Sequence, residues 1–236
     1  MGGEDSMKRA GIVGGLGPES TVDYYQSFIH KYQENVNSQK VLPELFINSI
    51  NMYNIFHYIS ENQMDELIEY VGGAARKLED IGADFVIIAA NTPHIVFDEV
   101  RRKVNVPMIS IVEATYEQAD ERGLKNVGLL GTKFTMEHDF FKQPFLASDK
   151  KIVVPSEGEQ AFIHQKIVDE LENGIVKQDT KDAFLKIINR MISEEGLDGL
   201  ILGCTELPMI LNKDDVDVSL LDTMDIHVDK MVEQVL

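Results

Sequence analysis

A chain of 236 residues, 44% hydrophobic and 26% charged, has the composition of an ordinary globular protein and is long enough for one large core or two half-sized ones. Its formal charge of -18 at pH 7, with no offsetting Lys/Arg cluster, makes nucleic acid and anionic membrane poor partners. A single cysteine cannot form an internal disulfide and six scattered histidines show no zinc-type spacing, so no structural metal is expected and a reducing, cytoplasmic setting fits.

The acidic start "MGGEDSM" lacks an apolar signal core, and residues 1–6 read as an added remnant or a frayed end ahead of Met7. "RAGIVGGLGPES" (9–20) reads as a buried strand, then a glycine-rich turn, then a helix from near Glu19. Gly14, Gly15 and Gly17 would let the backbone approach a ligand and free amides at the helix start would attract an anion, although a tight turn without a ligand fits equally. The dinucleotide pattern is incomplete, with Ser20 in the third glycine position and no acidic strand end suited to a ribose. Met64, Leu67, Ile68, Val71, Ala75 and Leu78 then mark an amphipathic helix. A strand, "FVIIA", leads into "NTPH" (91–94), where Thr92 reads as a helix N-cap, and "VNVPMIS" (104–110) comes next.

The same order recurs. "NVGLLGTKFTME" (126–137) pairs with 9–20, Gly11 with Gly128 and Gly14 with Gly131, at an offset of 117. Here Thr132 and Thr135 offer hydroxyls for a ligand or for capping. Phe184, Ile187, Ile188, Met191 and Ile192 form the second amphipathic helix. "EGLDGLILGCTELPM" (195–209) pairs with "IGADFVIIAANTPHI" (81–95), Asp84 with Asp198 and Ala90 with Cys204, at an offset of 114, and Thr205 reads as another N-cap. "VDVSLLD" (216–222) pairs with 104–110 at an offset of 112. Three matches in order predict two pseudo-symmetric α/β domains, each a parallel sheet with helices on both faces. The expected boundaries are 7–113 plus the final helix 223–236 for the first domain and 114–222 for the second. No apolar run reaches the roughly 18–20 residues of a membrane helix.

Ligands in open α/β sheets bind beyond the carboxyl ends of the strands, which predicts a cleft between the domains flanked by Ala90 and Cys204. A lone cysteine is commonly a small buried apolar residue. At a strand tip and a helix start, however, its thiol pKa of about 8.5 is expected to fall, making thiolate available. The amides of two opposed helix starts, after Thr92 and Thr205, would suit a ligand with two carboxylates. His94 and His164 read either as structural or as lining this cleft.

"GGLGPEST", "NTPH", "LLGTKFTM", "EQAFIHQKIVDEL" and "ILGCTEL", in this order, resemble the aspartate/glutamate racemase family over residues 8–236. The resemblance implies a cofactor-independent racemase of a small acidic amino acid, with no pyridoxal phosphate, metal or nucleotide, working as a homodimer. It implies two cysteines on opposite faces of the substrate α-carbon. Cys204 matches the second, and Ala90 stands where the first belongs. Asn91, Thr92, Thr132 and Thr205 match carboxylate-binding positions, Gly14 and Gly15 match the first loop, and His94 and His164 occupy family motif positions. A methyl group moves no proton. Open accounts of Ala90 are a one-sided racemase whose second base is water, Thr92 or His94; an engineered replacement of a cysteine; a single-thiol relative resembling arylmalonate decarboxylase; and a binding protein retaining the pocket without turnover.

Overall fold

The computed structural model describes residues 7–236, so the expectation for residues 1–6 lies outside the described residues. The chain divides into two compact units, one formed by residues up to Ile111 together with His227–Leu236, the other by Val112–Ile226.

The first unit is a parallel four-stranded sheet in the order β2-β1-β3-β4. Its strands are β1 (Ala10–Gly14), β2 (Leu45–Ser49), β3 (Phe85–Ile88) and β4 (Met108–Ile109). Every residue of β1 and β3 is buried, as expected of central parallel strands covered on both faces. Its helices are α1 (Pro18–Asn35), α2 (Met52–Ser60), α3 (Met64–Asp80) and α4 (Phe97–Arg101). The predicted stripe on α3 is real: Leu67, Val71, Ala75 and Leu78 are buried and Met64 and Ile68 pack beside them. Helix α5 (Ile111–Glu121) starts at the division between the units and carries the chain into the second.

The second unit has the same topology, β6-β5-β7-β8, again all parallel. Its strands are β5 (Asn126–Leu130), β6 (Lys151–Val153), β7 (Gly199–Leu202) and β8 (Ser219–Asp222). Its helices are α6 (Lys133–Glu137), α7 (Gln143–Leu146), α8 (Glu157–Asp169) and α9 (Gln178–Glu195), and α10 (Thr223–Val235) carries the chain back to the first unit. Phe184, Ile188 and Met191 of α9 are buried, with Ile187 and Ile192 packed against the same core. Among the described residues no helix is long and apolar enough to cross a membrane.

The repeated residues have physical reasons. Asp84 accepts the Arg9 amide at 2.7 Å, and Asp198 accepts the amides of Lys125 at 2.7 Å and Asn126 at 3.0 Å. Each carboxylate thus pins the start of one central strand to the foot of its neighbour. Gly11 has no room for a β-carbon, which would lie 2.9 Å from the Ala83 Cβ, and at Gly128 it would lie 2.8 Å from Leu197 Cδ1. Both glycines let a central strand press against the helix–strand connection beside it.

Candidate functional site

In the first unit, β1 and β3 run side by side with Val13 opposite Ile88, and the Ala89 amide donates to the Val13 carbonyl at 3.0 Å. This register brings the Gly14–Gly15 turn and the Ala90–Asn91 turn to the same sheet edge. The Gly15 amide is not free for an anion, because it donates to Thr21 Oγ1 at 2.8 Å. Gly15 has φ of 77°, and a β-carbon there would lie 2.2 Å from the Ile50 carbonyl oxygen, so packing alone demands glycine.

No α-helix opens at Thr92. Residues Thr92–Val96 form a five-residue 3-10 segment, and its capping position is Asn91, without a side-chain cap. The expected N-cap role of Thr92 is therefore corrected. So short a segment, with Pro93 in its first turn, has no row of aligned free amides to offer a carboxylate. Asn91 is buried and Ala90 is 9% exposed.

His94 is a buried, neutral lock. Its Nδ1–H donates to the Ala90 carbonyl at 2.8 Å, and its Nε2 accepts the Ile111 amide at 3.2 Å. Burial first, then His227, pushes it down to about 3, and the ring stacks on Phe97 with centroids 4.9 Å apart. With both nitrogens engaged it is not available as a base. Its neighbour His227 is fully buried, accepts the Tyr24 hydroxyl on Nδ1 at 2.9 Å and donates from Nε2 to the Ile109 carbonyl at 3.0 Å. Sequence reasoning missed His227, because 133 residues separate it from His94 and no local pattern joins them.

In the second unit Leu130 lies opposite Leu202, and the Gly203 amide donates to the Leu130 carbonyl at 2.7 Å. The turns carrying Thr132 and Cys204 therefore adjoin, and Thr135 sits against Gly203, whose β-carbon would lie 3.3 Å from Thr135 Cγ2. Thr132 caps α6, accepting the Thr135 amide at 3.4 Å, with the two hydroxyl oxygens 3.2 Å apart. That is the capping arrangement, and it leaves hydroxyl hydrogens that can still turn to an acceptor.

Cys204 comes just after β7 and is 8% exposed, part of the apolar core of this unit. Its Sγ–H donates to Glu206 Oε2 at 2.9 Å, and the Thr205 hydroxyl donates to the same oxygen at 2.9 Å. Thr205 is thus a partner of Glu206 and not an N-cap, and the chain beyond it forms only a three-residue 3-10 segment, Leu207–Met209. The expected lowering of the thiol pKa is overturned. Burial pushes the thiol well above its usual value, with Glu206 and then Glu172 adding negative charge in the same direction. At neutral pH the sulfur carries its proton. His164 on α8 is half-buried, and its Nδ1 is buried with no hydrogen-bond partner among the described residues. Among the described residues no three His, Cys, Asp or Glu side chains converge to hold a metal ion.

Residues 13–231 match the family model described as Asp/Glu/Hydantoin racemase. The chain is similar to the broad specificity amino-acid racemase RacX of Bacillus subtilis, 25% identical over 215 residues, covering 90% of this chain and 92% of that protein. It is 28% identical over 159 residues to a glutamate racemase of Actinobacillus pleuropneumoniae, covering 66% of this chain but only 58% of that enzyme. Among solved structures, an aspartate racemase homologue from Pyrococcus horikoshii OT3 superposes with a TM-score of 0.86 at 39% identity, covering 96% of this chain and 98% of that one.

Proposed function

The chain belongs to the Asp/Glu/Hydantoin racemase family, whose racemases are isomerases, and on that premise we propose that it moves the α-proton of a small acidic amino acid through Cys204. The observation that carries the reading is a lone thiol at the carboxyl end of β7, paired through Sγ with a carboxylate oxygen 2.9 Å away. A thiol so paired can give a proton to a carbanion and, once ionised, take one back. Ala90, which matches Cys204 in the sequence repeat, can do neither, so the opposite face of the α-carbon depends on water and turnover is one-sided. Within the second unit, the hydroxyls of Thr132, Thr135 and Thr205 and His164 Nδ1 are assigned to substrate carboxylate. As the proton leaves, donors of this kind stabilise the enolate-like charge that builds on the α-carboxylate. The working form is proposed to be a homodimer in a reducing compartment, with no cofactor.

The test is hydrogen exchange in D2O with each enantiomer of aspartate and glutamate, followed by proton NMR. One enantiomer is expected to take up α-deuterium faster than the other, and Cys204→Ala to abolish the uptake. If all four amino acids keep their α-protons at high enzyme concentration, the reading fails.

A second reading is favoured by the protonation state of the sulfur. A thiol held protonated by burial and two carboxylates is suited to one-way delivery, as in a single-thiol decarboxylase. There, cleavage of a carboxylate as CO2 leaves its electron pair on carbon as an enolate, and Sγ–H supplies the proton. CO2 release from a disubstituted malonate, with single deuterium incorporation in D2O and no exchange into amino acids, selects this alternative.

A further inference from the structure

Among the described residues, half of the large apolar side chains left exposed fall between Val22 and Phe56, in the first unit. Helix α2 supplies the centre of this face. None of its nine residues is Asp, Glu, Lys or Arg, and Ile55 is its one buried residue. Tyr53 is 68% exposed and Phe56 50%, and their rings meet edge to face with centroids 6.4 Å apart. Edge strand β2 comes just before α2; among the described residues it pairs only with β1, and it leaves Ile47 exposed. A β-carbon at Gly14 would lie 2.5 Å from Thr21 Cγ2 and 3.3 Å from Ile47 Cγ2, so Ile47 adjoins the start of α1, where Val22 and Tyr25 are also exposed. Val41 and Leu42 add to the face ahead of β2. The surface is firmly mounted. Asn51 caps α2 by accepting the Tyr53 amide at 3.0 Å, its own amide donates to the Tyr70 hydroxyl at 2.9 Å, and the Ile50 amide donates to the Gly14 carbonyl at 2.9 Å. A helix held in this way offers a preformed docking surface.

Charge and area say what fits it. Residues 41–60 hold one charged side chain, Glu44, in a chain that is 26% charged and carries -18 overall. A cationic partner is drawn to the acidic remainder of the surface, whereas two copies of so acidic a chain repel each other least where neutral meets neutral. A two-fold contact does this by construction, because it sets the same patch on both sides. The seven exposed side chains together present on the order of 700 Å² per copy, above the largest apolar patch of a typical monomer and close to the roughly 800 Å² that each partner gives to a stable interface.

We propose that a second copy of this chain covers the face, in a two-fold contact centred on Tyr53 and Phe56 beside β2; this rests on the homodimer proposed above and names its interface. The two aromatic rings are the anchors of the contact. Through Ile50 the same contact braces the Gly14–Gly15 turn at the carboxyl end of β1.

Sedimentation velocity of the full chain tests this. The parent is expected to sediment as a dimer at micromolar concentration, and the double variant Tyr53→Glu/Phe56→Glu, which keeps its far-UV circular dichroism because both positions are exposed, as a monomer whose association is weakened about 100-fold or more. Ile47→Lys, on the strand, is expected to weaken the dimer as well, and it carries the test if the double variant does not fold. Leu146→Glu, an equally exposed apolar position in the second unit, is expected to leave the dimer intact. High salt should tighten the association, since it screens the repulsion between two acidic chains. A monomeric parent ends both the homodimer and this proposal. A dimer that survives Tyr53→Glu/Phe56→Glu and Ile47→Lys keeps the homodimer but overturns this face, and a dimer that salt dissociates is held by ion pairs and overturns it too.

Discussion

Acidification from pH 6.5 to 4.5 is expected to destabilise the first unit through His94 and His227. Burial is the leading cause for both, with His227 a second one for His94, and the folded values stand at about 3 and about 4. In an unfolded chain each ring titrates near pH 6.5, so below that pH the unfolded state binds protons that the folded state refuses. Protonation therefore favours unfolding. Stability is complete above about pH 6.5 and falls, as pH drops towards the folded values, by about 1.36 kcal/mol per pH unit for each histidine. Two rings give a slope of roughly 2.7 kcal/mol per pH unit, on the order of 5 kcal/mol across two units, which is comparable with the whole stability of a small domain. Geometry offers no escape, because each ring's proton-free nitrogen already accepts a hydrogen bond, from the Ile111 amide at 3.2 Å and from the Tyr24 hydroxyl at 2.9 Å. Urea unfolding followed by far-UV circular dichroism at pH 7, 6 and 5 measures the slope, and His227→Gln, which has no proton to gain, should roughly halve it. A midpoint that does not move between pH 7 and pH 5 would refute the assignment of both rings as buried and neutral.

Ala90→Cys is expected to raise interconversion of enantiomers by about 10²–10⁴, the usual worth of a positioned acid/base group, and no gain in a coupled assay would point away from two-face chemistry. Asp84→Ala and Asp198→Ala should cost similar amounts, about 1–2 kcal/mol each, since each removes a carboxylate bonded to backbone amides at the start of a central strand; a loss confined to one of them would sink the equivalence. Gly123→Ala has open space around its β-carbon and should pay only the left-handed penalty of about 1–2 kcal/mol, whereas Gly15→Ala adds a collision with the Ile50 carbonyl and must cost more by urea midpoint. Glu170 is held down to about 2 by Lys166 first and then Thr180, so its contribution is complete above about pH 4.5 and is lost as pH falls towards 2. Glu170→Gln should therefore flatten the acid limb of the stability curve below pH 4.5, and an unchanged limb would show that the cluster is not coupled to folding.

Much of the fold was legible because a parallel sheet writes itself into short buried runs. Phe85–Ile88 and Gly199–Leu202 are wholly buried, and the three-and-four spacing on α3 and α9 marks the faces they cover. The paired Gly11/Gly128 and Asp84/Asp198 were visible as repeats, and the structure supplies what repetition could not, the Cβ collisions and the amide bonds that require them. The turns after the strands were less legible. Thr92 and Thr205 have the composition of N-caps, but Thr92 begins, and Thr205 precedes, a short 3-10 segment whose second residue is proline, and capping chemistry is indistinguishable in sequence from a threonine that serves something else. The larger error concerned charge. A helix start was expected to draw the thiol proton off Cys204, yet burial holds it there, and Glu206, two residues along in the same "CTE" and turned back onto Sγ, adds to the effect.

That reversal bears on how Ala90 is understood. A sulfur that takes the α-proton as a thiolate becomes in that step the acid able to return it on the same face, so a lone thiol allows exchange without inversion. With Sγ protonated and donating to Glu206 Oε2, the chemistry proposed above would start from the acid form of the thiol. A single thiol–carboxylate pair of this kind can remove and return a proton on the same face, giving exchange without inversion. Rapid deuterium uptake into one enantiomer, with slow formation of the other, is the signature that separates this arrangement from an ordinary two-base racemase.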